Sequence, residues 1–318
     1  MKKSSRTIQK LIAILAVIAL ITGCGSASGG SGGSGGGGGQ AASEVPEKEG
    51  VDFAPAEFKD AVFSPEAAEG NAEAQVDLSH VSQGYIALQC STDARVKLQV
   101  FKGEDTYVYD VVQDKPQIFP LQLGDGDYTF KVMKNVEDNK YFELYGCSAS
   151  VTLDGQFEPF LRPNQYADYT ASSRCVERAA QLAQGATSEE AFIMAVYDDI
   201  CGSITYDREK AANIQSGYIP EPDKIMEEGQ GICFDYASLG ASMLRSQGIP
   251  TKIVFGYVAP DDLYHAWNMF YTQENGWTTV EFSVSPGDWS RVDLTFSANG
   301  ADGDFIGDGT NYMDVYYY

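Results

Sequence analysis

A glycine-rich tract near the N-terminus divides the chain into parts that can fold and parts that cannot. Residues 25–39 contain ten glycines, and only serine and one alanine lie between them. Such a segment has no side chains with which to build a core and behaves as a flexible coil. Together with the polar residues up to Gly50, its r.m.s. reach is about 25–30 Å. We therefore predict a tether over residues 24–50 and a folded body that begins near residue 51.

The residues before the tract have the pattern of an export signal. Four basic residues precede the apolar run Leu11–Ile21, which is too short to span a bilayer as a mature helix and fits a signal-peptide core. The junction Ile21-Thr22-Gly23-Cys24 resembles a bacterial lipobox. This resemblance implies a signal peptide over residues 1–23, lipid (palmitate) on Cys24, and attachment to the extracellular face of the bacterial cell membrane. The alternative is an ordinary signal peptide followed by an incidental cysteine.

The charge of the chain restricts its partners. It has 45 acidic and 22 basic residues, a net charge of −23. Removal of residues 1–23 removes four basic and no acidic residues, which leaves a net charge of −27. A nucleic-acid partner is excluded because phosphate binding needs clustered lysine and arginine. An anionic membrane surface would also repel such a chain, so membrane attachment would require a covalent anchor.

Metal and cofactor sites are not expected. The sequence has two histidines, His80 and His265, and none of its six cysteines forms a CxxC pair, so we predict no zinc site. The acidic run 302–311 lacks the spacing and the closing glutamate of an EF-hand loop. We therefore expect no metal and no cofactor.

The folded body consists of two regions that differ in hydrophobic period. Short alternating segments such as Arg95–Phe101, separated by turn signals, predict a small antiparallel β-sandwich over residues 51–165. This region contains no catalytic motif, so a spacer or binding module is the favoured interpretation. From residue 166 the pattern changes to helices followed by strands, which predicts an α+β domain over residues 166–318. The helices predicted there include one at 174–184, one that starts after Thr187 as its N-cap, and one from Cys233 to about 247. Strands are predicted at 251–258, 265–271, 276–284 and 289–296.

One cysteine and one histidine in the second region form a candidate catalytic pair. Cys233 follows Gly231 at the first turn of a predicted helix, where the helix dipole favours the thiolate. A lone cysteine is more often a small core residue. His265 begins a predicted strand 32 residues later, and a thiol nucleophile needs such a base beside it.

These residues lie in a series of motifs that resembles a known family. The segments Gly231-x-Cys233-x-Asp235-Tyr-Ala, Met243-Leu-Arg-x-x-Gly-Ile-Pro250 and His265-Ala-Trp-Asn268 occur in the order typical of the transglutaminase-like core of bacterial proteins. The resemblance implies a papain-like fold and a Cys-His-Asp triad, with Cys233 as nucleophile and His265 as general base. Asp235 is expected to bind neighbouring backbone rather than to act in catalysis.

The carboxylate of the implied triad has two candidates. Trp277-Thr-Thr-Val-Glu281 has the usual short distance from His265 but contains glutamate instead of aspartate. Trp289-Ser-Arg-Val-Asp293 keeps the aspartate and a following threonine, but leucine replaces the family's proline. We predict Asp293 as the third member and keep Glu281 as the alternative.

The four remaining cysteines divide evenly between the two regions. Export permits disulfides, and this division suggests the pairs Cys90–Cys147 and Cys175–Cys201. Four buried thiols are an equally acceptable interpretation.

Together these features predict a membrane-anchored thiol enzyme that cleaves or transfers peptide or side-chain amide bonds through a thioester. The expected partner is a protein or peptide substrate, for example a cell-wall peptide; neither the substrate, the acyl acceptor nor the oligomeric state can be inferred from the sequence. The alternative is a cell-envelope binding lipoprotein with a catalytically degenerate transglutaminase-like scaffold.

Overall fold

The structure, a computed structural model, describes residues 53–258, 263–273, 276–279 and 312–318. The signal peptide, Cys24, Glu281, Asp293 and the acidic run 302–311 lie outside these ranges. Residues Glu49–Tyr318 form one compact unit, and the predicted boundary between residues 165 and 166 stays a prediction. Among the described helices, none combines the length and the apolar character needed to cross a bilayer.

The described elements follow the order that the sequence pattern predicts: strands come first, then mainly helices, then further strands. The strands are β1 (Glu69–Gly70), β2 (Ala74–Asp77), β3 (Tyr85–Cys90), β4 (Val96–Lys102), β5 (Asp105–Val111), β6 (Gln117–Pro120), β7 (Gly126–Glu137), β8 (Lys140–Val151), β9 (Thr205–Tyr206), β10 (Gln230–Gly231), β11 (Thr251–Val258), β12 (Leu263–Thr272), β13 (Gly276–Thr279) and β14 (Tyr312–Tyr317). The α-helices are α1 (Arg174–Ala183), α2 (Glu189–Ser203), α3 (Arg208–Asn213), α4 (Pro222–Glu228) and α5 (Cys233–Ser246).

The first eight strands form the predicted sandwich. One sheet has the order β1-β2-β3-β6 and the other the order β5-β4-β7-β8, and every pair within them is antiparallel. Alternate residues of both sheets point into one core, as the period of two requires. Its members include Ile86, Leu88, Leu98, Phe119 and Phe130, none of which is accessible to solvent.

The second region packs its helices against an antiparallel sheet of order β13-β12-β11-β14. Helix α5 is central to this region, because all ten of its residues from Asp235 to Leu244 are buried. Its apolar residues share a core with helices α1, α2 and α4 and with one face of the sheet. The predicted α+β class is confirmed.

Helix α5 is fixed at its C-terminal end by a buried arginine. The Arg245 guanidinium donates hydrogen bonds to the carbonyl oxygens of Thr251 (2.8 Å), Tyr318 (2.9 Å) and Arg162 (3.1 Å). Burial lowers the pKa of Arg245 to about 10, and the three carbonyl partners compensate for the loss of hydration. The helix ends at Ser246, and Gly248 just beyond it has a φ of 90°, in the left-handed region that favours glycine.

Two details differ from the sequence prediction. The cap of α2 is Ser188 rather than Thr187, since the Ser188 hydroxyl accepts a hydrogen bond from the backbone N–H of Ala191 at 3.1 Å. The edge strand β14 was not expected, because its tyrosine-rich sequence follows a long polar segment. It pairs with β11 through a register shift between Phe255 and Gly256.

Candidate active site

The turn before Cys233 is held by a short parallel pairing. Strand β10 pairs with β9, and the backbone N–H of Asp207 donates to the carbonyl of Gly231 at 2.8 Å. A Cβ at Gly231 would lie 2.7 Å from the Cβ of Asp235, so only glycine fits beneath that side chain. The backbone that leads into helix α5 is therefore held in one conformation at Gly231.

Cys233 is the first residue of helix α5, as the sequence predicts. Its side chain is half-buried and packs against the core of the second region. The first N–H groups of a helix lack intrahelical acceptors and carry a partial positive charge. The same N–H groups can stabilise an oxyanion on a bound acyl group.

Asp235 lies in the first turn of α5 and is completely buried. One of its carboxylate oxygens accepts the backbone N–H of Ile232 at 2.8 Å, as predicted for a residue that binds neighbouring backbone. The carboxylate also accepts hydrogen bonds from Lys210 Nζ and from the Tyr218 hydroxyl, both at 2.6 Å. These last two partners were not foreseen.

His265 lies on β12, directly opposite Gly256 of β11, and only 3% of its surface is exposed. Its ring centroid is 6.4 Å from that of Trp267, which lies on the same face of the strand. Strand β12 is attached to α5 by Asn268, whose Nδ2 donates to the carbonyl of Ala237 at 2.9 Å. The helix of Cys233 and the strand of His265 are thus in direct contact.

The two faces of β12 have different neighbours. Ala266 and Phe270 pack into the core around α5, whereas Trp267 belongs to a separate cluster with Val254. Because side chains alternate along a strand, His265 projects from the Trp267 face. His265 therefore lies on the face of β12 opposite to the residues that pack on α5, and its pairing with Cys233 stays a prediction.

Tyr264 is the residue of β12 whose titration is linked to the thiol. Burial raises the pKa of Tyr264, and the nearby Tyr257, Tyr316 and Cys233 add to that rise. Half of the Tyr264 side chain remains exposed. The thiol and the start of β12 are thus within electrostatic range of each other.

The other histidine is not arranged for catalysis. His80 Nε2 lies 3.1 Å from the Ser64 hydroxyl and 3.5 Å from Asp77. In a serine triad the hydroxyl and the carboxylate bind different ring nitrogens, whereas here both contact the same one. His80 therefore holds residue 64 against the sandwich.

None of the five described cysteines forms a disulfide, so the suggested pairs Cys90–Cys147 and Cys175–Cys201 are not present. Burial raises the pKa of Cys90 to about 12 and, with a contribution from Glu69, that of Cys147 to about 11. Burial raises the pKa of Cys175 as well, and the Asp223 carboxylate adds to that rise. These three are structural thiols of low reactivity.

The structure adds two residues to the site that sequence reasoning missed. Lys210 lies on the short helix α3, and Tyr218 lies in the loop after it. No motif marks either residue. The available signal was Asp235 itself, because a buried carboxylate requires compensating donors.

The second region is an α+β core in which a helix that begins with a cysteine packs on an antiparallel sheet that bears a histidine. The family model described as the transglutaminase-like superfamily matches residues 176–282. Residues 176–282 are thus similar to this superfamily. The match includes Cys233, His265 and Glu281 and ends before Asp293.

Solved structures of similar proteins include a proposed cysteine protease from Cytophaga hutchinsonii. It is 16% identical, with 74% of this chain and 83% of that chain covered and a TM-score of 0.38. Red sea bream transglutaminase is 13% identical, with 66% and 48% covered and a TM-score of 0.26. Legionella pneumophila LapG is 15% identical, with 45% and 83% covered and a TM-score of 0.25. A search of curated protein sequences gives no match.

Proposed function

We propose that this protein is a thiol acyl-transfer enzyme that acts on amide bonds, with Cys233 as nucleophile and His265 as general base. One observation carries the proposal: Cys233 begins helix α5, which packs directly on the strand that bears His265, within the segment matched to the superfamily. The half-buried position of Cys233 leaves its thiol open to a substrate.

The reaction follows from the chemistry of the two groups. The Cys233 sulfur attacks the amide carbon, and the N–H groups at the start of α5 stabilise the oxyanion. The C–N bond then breaks as His265 transfers the thiol's proton to the leaving amine. A thioester remains. Water or a second amine attacks it, which releases acid or a new amide and returns the proton to the thiol.

The third member of the proposed triad is a carboxylate that orients the imidazole. The sequence favours Asp293 for its residue type, whereas the extent of the superfamily match favours Glu281. Glu281 follows two residues after the described end of β13, which pairs with the strand of His265. Asp293 follows that end by fourteen residues. On this basis we take Glu281 forward as the residue to test first.

We further propose that the enzyme acts at the outer face of the cell membrane through a lipid on Cys24. The lipobox-like junction and the glycine-rich tether support this placement. The tether would let the catalytic region search a shell of about 25–30 Å around the anchor. Substrates would then be surface proteins or cell-wall peptides.

Capture of the thioester tests the chemistry. The mature protein is incubated with a mixture of synthetic peptides that contain glutamine, asparagine and cell-wall-type amides, then quenched in acid. Intact-mass and peptide mass spectrometry should find an acyl adduct on Cys233 that hydroxylamine removes. Addition of a primary amine should give the new amide if the enzyme transamidates, and free acid alone if it hydrolyses.

Matched variants identify the nucleophile. Cys233→Ala should give no adduct, whereas Cys147→Ser, which removes another half-buried thiol, should leave the adduct unchanged. A stably folded protein that binds the peptides with no acyl adduct and no turnover would contradict the proposal and favour the binding-lipoprotein alternative.

A further inference from the structure

Lys210, Tyr218 and Asp235 form a closed network two residues from the proposed nucleophile. In addition to their bonds to Asp235, Lys210 Nζ and the Tyr218 hydroxyl lie 2.7 Å apart. The ammonium also lies over the Tyr218 ring, 4.5 Å from its centroid. Three side chains from α3, the following loop and α5 are therefore joined at the helix start.

This network fixes the backbone that presents the thiol. The same Asp235 oxygen that binds Lys210 accepts the N–H of Ile232, the residue immediately before Cys233. Gly231 has no space for a side chain beneath Asp235. Loss of Lys210 or Tyr218 would therefore release a carboxylate whose orientation sets the Ile232–Cys233 turn.

The network also balances charge. A buried carboxylate two residues from a thiol opposes the formation of a thiolate, and it counteracts the helix dipole. Lys210 supplies the opposite charge at hydrogen-bond distance, with only 23% of its side chain exposed. The pair is nearly neutral, so the dipole at the start of α5 remains effective.

We propose that Lys210 and Tyr218 are positioning residues for the reaction of Cys233 and act through Asp235. This inference rests on the proposed function for its meaning in catalysis, but its physical content concerns the thiol alone. Lys210 neutralises and orients the Asp235 carboxylate, and Tyr218 holds the second oxygen.

Other titratable groups near the start of α5 could influence the same thiol, and the test must separate them. In the described part of the chain these groups include Lys210, Tyr218, Asp235 and Tyr264. Glu221 and Glu228 at the two ends of α4 also act on Tyr218.

The test is the pH dependence of alkylation of Cys233 by iodoacetamide in the full mature protein. It is followed by mass spectrometry of the tryptic peptide 225–245, which contains Cys233. In Lys210→Met the midpoint should rise by about one pH unit, so that the rate at pH 7 falls up to about tenfold. Lys210→Arg should restore most of the rate because it keeps the charge. Lys210→Met combined with Asp235→Asn should return the midpoint toward the wild-type value.

Controls separate positioning from general destabilisation. Lys131→Met removes a comparable lysine, paired with Glu143 at 2.9 Å in the sandwich, and should leave the midpoint unchanged. Tyr218→Phe keeps the charges, so it should leave the midpoint near that of wild type and lower the kcat of any substrate turned over. The Lys210→Met shift should persist in a His265→Ala background, which excludes an effect through the imidazole.

The result that overturns the inference is a Lys210→Met protein with an unchanged midpoint, or one whose shift Asp235→Asn does not reverse. Both outcomes are independent of catalysis, because alkylation needs no substrate. A wild-type protein without amide turnover but with the expected shift would refute the proposed function and retain this inference.

Discussion

Two helices in the second region begin with a cysteine in the first turn, and their environments differ. Cys175 on α1 is completely buried, and the Asp223 carboxylate accepts the N–H groups of Arg174 and Cys175, each at 3.0 Å. Burial and this carboxylate raise the pKa of the Cys175 thiol. At α5, Cys233 is half-buried and the nearby carboxylate is paired with Lys210.

The comparison shows that a helix start alone does not make a thiol reactive. At α1 a carboxylate with no ion-pair partner among the described residues occupies the N–H groups that would otherwise stabilise a thiolate. At α5 the carboxylate is neutralised, and the strand of His265 lies alongside. Exposure, charge balance and the adjacent strand that bears His265 distinguish the two sites.

Removal of the proposed nucleophile or base should cause the largest loss of activity. We expect Cys233→Ala and His265→Ala each to lower kcat by about 10³-fold or more without unfolding the protein. The double variant should be little worse than either single variant, because a nucleophile and its base act as a unit. Steady-state kinetics on a captured substrate measures this. Cys175→Ala should retain activity, and losses that multiply in the double variant would argue against the pair.

The orienting carboxylate should have the next largest effect. We expect Glu281→Gln to lower kcat by about 10²–10⁴-fold, by analogy with the carboxylate of a serine triad. Asp293→Asn serves as the matched variant and should change kcat by less than about tenfold. The reverse ranking would restore Asp293, the residue favoured by type, as the third member.

The tie between the helix and the strand can be tested through Asn268. Asn268→Ala leaves the buried carbonyl of Ala237 without this donor and should destabilise the protein by about 1–3 kcal/mol. The kcat should also fall, because the strand of His265 loses a hydrogen bond that fixes its position on α5. Urea denaturation and kinetics measure the two effects. Gln273→Ala, an exposed change at the end of the same strand, should be neutral in both.

At the start of α1 we expect the smallest effect, and there the variant should make a thiol more reactive rather than less. Asp223→Asn weakens two charge-assisted hydrogen bonds to the start of α1 and should cost about 1 kcal/mol of stability. It should also lower the pKa of Cys175 and speed its alkylation, which would remain slower than that of Cys233. The exposed Glu221→Gln is the control. An unchanged Cys175 would show that burial alone keeps this thiol inert.

Much of this arrangement could be predicted from the sequence. Local sequence patterns predict the helix that starts at Cys233 and the strand of His265, because the spacing of apolar residues indicates both. Gly248 and Pro250 indicate the stop that follows the helix. Lys210 and Tyr218 could not be found, since they reach Asp235 across 25 and 17 positions of sequence. The alternation of β12 was legible, but which face α5 covers depends on tertiary packing.

Cys233 is proposed to be the activated thiol, with His265 as the group that activates it. Time-resolved iodoacetamide labelling between pH 6 and 8, resolved by peptide for every cysteine, measures this activation. We expect Cys233 to react at least about tenfold faster than Cys90, Cys147, Cys175 and Cys201. We also expect His265→Ala to abolish this advantage. Equal labelling of another cysteine, or a Cys233 rate unaffected by His265→Ala, would contradict this proposal.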